Sequence, residues 1–321
     1  MRVAVVSHQA EQLALNNVAI PNGWKYFHAT AAEDLYVYNP DFLYVHGCFI
    51  HDYGDWQLYR QLVGEAPKVV IRFAGTDSLN VSGFVEKGCT AIVDWLNQDR
   101  FLIIPPSEKV AEELKAIGVN VVKPLNTPAQ RLFEPLLKPK KFTVGVYMPP
   151  HRQDFFNIPK LKQALYTLKD KSYQCIFYHF FPLMADFTFD GPHALRFGLT
   201  REQYEKTIGD CSCLVRMPVH DANSISTAEF LMADRPVVSI NDFPHWPAMV
   251  NKDMTDKEIG ELILAQKDAK PVSSKAQEYC RTMYDPTRWR DRLEKRCRGK
   301  WEGFKFDERR EEVEVGTATV S

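Results

Sequence analysis

Short apolar runs rich in Val, Ile, Phe and Tyr alternate along the chain with longer stretches of helical periodicity. That rhythm predicts parallel sheets covered by helices. In the first half, strands are expected at residues 2–6, 42–46, 68–73, 90–94, 101–104 and 119–123. Within residues 106–118, Val110, Leu114 and Ile117 share one helical face, and Gly118 supplies the left-handed position that ends a helix.

Residues 135–141 combine proline with charge and follow neither period, which marks an interdomain linker. A second series follows: a strand at 142–147, a helix at 158–168 and a strand at 174–178. Thr200 and Gln203 read as a capping box opening a helix that ends near Gly209. A strand at 213–217, a helix at 224–233 and a strand at 237–240 complete the series. The expected fold class is therefore α/β, with two Rossmann-like, doubly wound domains. The first spans 1–138 and the second 139–285, followed by a helix at 286–304 that crosses back to the first domain and a flexible tail at 305–321. Such sheets place ligands at the carboxyl ends of their strands, here across a cleft between the domains.

Composition narrows the classes. The 321 residues are 45% hydrophobic, enough for two cores, and the formal net charge of -1 gives no overall field toward nucleic acid or anionic lipid. The opening apolar run is too short for a signal peptide and no later run reaches membrane-spanning length, so a cytoplasmic protein without a transmembrane segment is expected. Seven scattered cysteines fit reduced core thiols; Cys211 and Cys213, the one close pair, lack the further ligands a zinc site needs.

Candidate chemistry concentrates in residues 220–238. A strand runs into small polar residues, becomes a helix and returns to a strand after an Arg-Pro turn. Free N–H groups and the positive end of the helix dipole converge there, a seat for a diphosphate. His220 opens this stretch, and Asn223, Ser224, Ser226 and Thr227 offer polar groups to a donor; the side chains are small enough for phosphate to approach.

The stretch resembles the motif of retaining GT-B glycosyltransferases: an acid, seven intervening positions, a Glu, a Gly-x-Pro turn and a Val-Val strand. Here these are Asp221, Glu229, the turn at Asp234-Arg235-Pro236, and Val237-Val238. The resemblance implies that Glu229 accepts hydrogen bonds from the ribose hydroxyls of a nucleotide-sugar and that Asp221 contacts the transferred sugar. A carboxylate does suit a vicinal diol, accepting both its donors. Two departures stand out: Asp221 replaces Glu, and Asp234 occupies the turn's usual glycine position.

The same resemblance implies that Arg152 and Lys160, in the loop and helix start after the second domain's first strand, neutralise the donor diphosphate. Charge growing on the leaving group requires such stabilisation. It implies a nucleobase held at Arg196 and Gly198, chiefly by backbone. Residues 69–79 resemble a strand-to-loop signature ending in Gly75-Thr76-Asp77, which offers Asp77 to catalysis, although a helix-capping role for Asp77 or Ser78 accounts equally for the pattern. The Gly-rich loop that follows the first strand in the family is missing, and 6–9 takes its place.

The expected activity is sugar transfer from a nucleotide-sugar such as a UDP- or GDP-sugar to an unidentified acceptor, by a hexosyl- or pentosyltransferase. Retention of configuration is implied by the family. No Asp-x-Asp pair proposes a bridging cation, so neither metal nor resident cofactor is expected. Two alternatives remain open. One is an inactive GT-B-like nucleotide-sugar binding protein. The other is a phage-type glycosyltransferase acting on DNA, suggested by residues 287–300, where seven basic side chains face Asp291 and Glu294.

Overall fold

The computed structural model describes residues 1–7, 24–28, 32–129, 131–150, 152–168, 172–180, 182, 187–222 and 224–306. The chain forms two compact units: Met1–Gln130 with Pro286–Ser321, and Arg131–Asp285.

The first unit has five parallel strands: β1 (Val3–Ser7), β2 (Trp24–His28), β3 (Phe42–His46), β4 (Val69–Arg72) and β5 (Phe101–Ile104), in the order β2-β1-β3-β4-β5. All but β2 are buried along their length, as expected where helices cover both faces. Helices α1 (Ala32–Tyr38), α2 (Tyr53–Val63), α3 (Asp77–Glu86), α4 (Ala91–Leu96) and α5 (Glu108–Ala116) connect them. Ser107 caps α5, accepting the Val110 N–H at 3.3 Å.

The sequence expectation fails at two places here. Residues 90–94 form the start of α4, because Ile92, Trp95 and Leu96 give the buried face of a helix. So short an apolar run does not distinguish the two periods. Residues 119–123 are not a strand; the segment passes beside β5, where the Val122 N–H donates to the Ile103 carbonyl.

The second unit holds β6 (Thr143–Tyr147), β7 (Gln174–Tyr178), β8 (His193–Arg196), β9 (Cys213–Arg216) and β10 (Val237–Ser239), parallel and ordered β10-β9-β6-β7-β8. Its helices are α6 (Ile158–Tyr166), α7 (Arg201–Asp210), α8 (Ile225–Met232), α9 (Asp256–Ala265) and α10 (Ser274–Met283). The capping box at Thr200 and Gln203 opens α7. Helix α9 packs so closely on α6 that a side chain at Gly260 would meet Thr167 Oγ1 at 2.3 Å and the Ala164 carbonyl at 2.7 Å.

Residues ahead of β6 are tied to this second unit by Arg235, which is wholly buried. Its Nη1 donates to the Leu136 carbonyl at 3.0 Å and its Nη2 to the Leu137 carbonyl at 2.6 Å. Asp234, preceding it, adopts φ 59°, so it occupies the left-handed conformation that glycine usually supplies. Its Oδ1 accepts the Val272 N–H at 2.7 Å, which a glycine would leave without that partner.

Helix α11 (Trp289–Lys300) belongs to the first unit, where Trp289, Leu293 and Cys297 join Val3, Phe42 and Tyr44 in one core. The tail beyond residue 306 lies outside the described residues. All seven cysteines are free thiols, six of them buried. Among the described residues, no helix is long and apolar enough to cross a membrane.

Candidate functional site

In the second sheet the strand order reverses between β6 and β9: β7 lies on one side of β6, while β9 and β10 lie on the other. A crevice outside the carboxyl ends of two such strands is where doubly wound sheets take ligands. The last residues of those strands are Tyr147 and Arg216.

Arg216 organises this point. Its guanidinium lies 5.3 Å from the Tyr147 ring centroid and 5.0 Å from that of Phe156. Its Nε donates to Ser224 Oγ at 3.0 Å and approaches Ser226 Oγ at 3.4 Å. Its Nη2 donates to Asp221 Oδ1 at 3.4 Å, and Nη1 lies 3.3 Å from Asp221 Oδ2. The Ala222 N–H donates to Asp221 Oδ1 at 2.9 Å. Ser224 caps α8 by accepting the Thr227 N–H, and its hydroxyl lies 2.7 Å from that of Ser226.

Asp221, Ser224, Ser226 and Thr227 thus come together as one cluster at the start of α8, centred on an arginine that sequence reasoning missed. The available signal was a charged residue closing the apolar strand Cys-Leu-Val-Arg just ahead of the polar loop. Asn223 lies outside the described residues. His220 is buried beside Asp221, at 6% exposure.

The surrounding loops are knitted together through backbone groups. Asn157, left-handed at φ 51°, donates from Nδ2 to the Met217 carbonyl at 2.8 Å. The Val219 N–H donates to the Phe155 carbonyl at 2.8 Å, and Asn241 Nδ2 to the Pro218 carbonyl at 2.8 Å.

Glu229 sits in the second turn of α8 and is 1% exposed. Arg201 Nη1 donates to its Oε1 at 2.7 Å. Arg201 also bonds Glu205 through Nε at 3.0 Å and lies over the rings of Tyr204 and Phe133. Burial raises the Glu229 carboxyl above its usual range, with the Arg201 charge and hydrogen bond opposing that shift. The residue implied for the ribose therefore stands in a buried ion pair.

Gly198 adopts φ 65° just before the Thr200 cap, and the nearest atom to an added Cβ is Pro182 Cγ at 3.9 Å. The backbone conformation, rather than crowding, selects glycine there. Arg196 is turned away onto α7: its Nη1 donates to Thr207 Oγ1 at 3.1 Å and its Nη2 pairs with Asp210 at 2.8 Å. Its side chain is thereby engaged on α7, while its backbone leads into the Gly198 turn.

Arg152 is exposed, its guanidinium 5.7 Å from the Phe155 ring centroid. Lys160 is half-buried in the first turn of α6.

Asp77, in the first unit, is wholly buried, and its carboxylate is occupied by backbone. Oδ2 accepts the N–H groups of Cys48 and Ala74, each at 2.8 Å, and Oδ1 that of Gly75 at 2.7 Å. Three such bonds make it a loop organiser at the start of α3. On α11, Arg296 donates to the carbonyls of Lys123 and Pro124, and Arg298 to Phe304 while pairing with Glu294. Part of the basic helix is thereby committed to its own unit.

No family model matches the sequence. No curated protein is similar to it in sequence. Solved structures are similar in fold. Anabaena Alr3699/HepE, in complex with UDP-glucose, has a TM-score of 0.67 at 11% identity, over 92% of this chain and 99% of that one. The lipopolysaccharide outer core galactosyltransferase WaaB, in its apo form, has a TM-score of 0.60 at 10% identity, over 94% and 100%. Sucrose-phosphate synthase (tll1590) from Thermosynechococcus elongatus has a TM-score of 0.62 at 12% identity, over 84% and 76%. The chain shares with these neighbours the GT-B fold of two parallel-sheet α/β units.

Proposed function

We propose that this protein is a glycosyltransferase that takes its sugar from a nucleotide-sugar bound at the carboxyl ends of β6 and β9. The observation that carries the reading is the cluster of Asp221, Ser224 and Ser226 at the start of α8, seated at the point where the strand order reverses. An anionic ligand is favoured there by the helix dipole and by first-turn N–H groups that have no intrahelical acceptor. The fold neighbour crystallised with UDP-glucose supports the choice of donor class.

In this reading the sugar lies against Asp221, the diphosphate against the first turn of α8, the ribose toward Glu229 and the base along the backbone at Gly198. Glu229 keeps Arg201 while a ribose hydroxyl donates to its other oxygen. The bond from sugar to phosphate breaks, and the electron pair leaves with the nucleoside diphosphate. An acceptor hydroxyl attacks from the same face, retaining configuration, and its proton passes to the departing phosphate. Positive charge from the protein and the α8 dipole stabilises the leaving group without a metal.

The test is a thermal-shift screen against UDP, GDP, ADP, CMP and their sugar conjugates. A ligand at 100 times its Kd stabilises the fold by about 2.7 kcal/mol. A shift with one nucleotide family, accompanied by slow hydrolysis of its sugar conjugate, supports a transferase. A shift without hydrolysis supports a binding protein, and no shift with any of these ligands removes the nucleotide-sugar reading.

A further inference from the structure

The resemblance puts the cations that neutralise the donor diphosphate on the loop and helix after β6. The structure offers a different group. Arg216 closes β9, its side chain is only 10% exposed, and its guanidinium lies against the neighbouring rings of Tyr147 and Phe156, whose centroids are 5.5 Å apart. Its polar contacts are Nε with the hydroxyls of Ser224 and Ser226, Nη2 with Asp221 Oδ1, and Nη1 at 3.3 Å from Asp221 Oδ2.

The Nη1 group is buried and donates no hydrogen bond. An arginine presents its N–H groups in a fixed planar fork, so placing Nε and Nη2 leaves Nη1 with no freedom to find an acceptor elsewhere. A buried donor without an acceptor is retained at a cost unless something fills the place. Ser224 and Ser226, which hold one edge of the fork, are the N-cap and second residue of α8. Nη1, which makes no hydrogen bond and has only Asp221 Oδ2 beside it at 3.3 Å, and the first amides of α8 therefore lie about the same short segment.

We propose that Arg216 is the cation that binds the phosphate groups at this site, and that Arg152 and Lys160 are not required for it. This rests on the reading of the Asp221 cluster as a nucleotide-sugar site and assigns its phosphate-binding side chain. Asp221 carries like charge to the ligand, but its Oδ1 keeps the Ala222 N–H and Arg216 Nη2 when a phosphate oxygen takes the place of Oδ2 beside the fixed Nη1. Because the guanidinium is already fixed by rings and hydroxyls, little side-chain freedom is lost on binding, unlike that of an exposed arginine such as Arg152.

Isothermal titration of the full chain tests this with inorganic pyrophosphate, with UDP, GDP and ADP, and with the matching nucleosides, using wild type, Arg216→Met, Arg216→Lys and the double variant Arg152→Ala/Lys160→Ala. Arg216→Met is expected to weaken nucleoside diphosphate and pyrophosphate at least tenfold and to change nucleoside affinity less than twofold. Arg216→Lys, which keeps the charge without the fork, falls between, and it decides the matter if the methionine variant does not fold. The double variant stays within threefold of wild type. Equal losses for nucleoside and diphosphate in the Arg216 variants mean a merely structural role and overturn the proposal. So does unchanged diphosphate binding, which leaves the nucleotide-sugar reading standing. Wild type that binds neither nucleotides nor pyrophosphate overturns both.

Discussion

Arg201 donates from Nη1 to Oε1 of Glu229 at 2.7 Å, inside a second unit where Glu229 is almost wholly removed from water. Removing one partner of such a pair strands the other. Glu229→Ala is expected to destabilise the protein by about 3 kcal/mol in urea unfolding, beyond any loss of ligand affinity. Arg201 keeps Glu205 as a second acceptor, so the loss should stay below that of an isolated buried charge.

The same carboxyl gives a pH signature. Burial holds its folded value above 4.5, with Arg201 opposing, so between the unfolded and folded values the native state binds more protons than the unfolded one. Its contribution to stability is then greatest at low pH and declines as pH rises through that window. Wild type minus Glu229→Gln, measured by urea unfolding from pH 4 upward, should fall with pH across this interval and then level off.

Asp77→Ala leaves the N–H groups of Cys48, Ala74 and Gly75 without their acceptor. A cost of about 3 kcal/mol in unfolding free energy is expected, with nucleotide affinity unchanged. A large loss of catalytic rate in a variant that stays folded would place Asp77 in the chemistry.

At Asp234, two substitutions separate backbone from side chain. Glycine relieves the left-handed φ but forfeits the bond to Val272, so Asp234→Gly should lie within about 1 kcal/mol of wild type. Asp234→Ala forfeits the bond and keeps the strained φ, at a cost of about 2 kcal/mol. Thermal unfolding of the two variants resolves the difference.

Gly198→Ala tests whether backbone at that loop meets the base. Space is available for the methyl group, so the left-handed φ alone sets a stability cost of about 1 kcal/mol. If the base lies along this backbone, nucleotide affinity falls by more than the stability change accounts for, as titration calorimetry reads.

Strands β3, β4, β5 and β6 were legible because both faces are buried, which writes a continuous apolar run into the sequence. β8 was not, because His193, Ala194, Leu195 and Arg196 form a partly exposed edge strand without such a run. Residues 90–94 misled because a run that short carries no period. At the site, Asp221, Ser224 and Ser226 could be grouped because they are near in sequence, and the cap and dipole are local effects. The surroundings of Glu229 and Arg216 could not. The Glu229 partner lies in α7, and the rings on Arg216 come from β6 and the following loop, contacts that only the tertiary fold creates.

The core shared by Val3, Phe42 and Tyr44 with Trp289, Leu293, Cys297, Phe304 and Phe306 has a consequence for biogenesis. A chain leaving the ribosome exposes the first sheet long before the residues that seal it, whereas residues 131–285 carry their whole unit in one stretch. The unit encoded second therefore completes itself first, and the unit encoded first must wait with an open apolar face, the interval in which a chaperone would have most to shield.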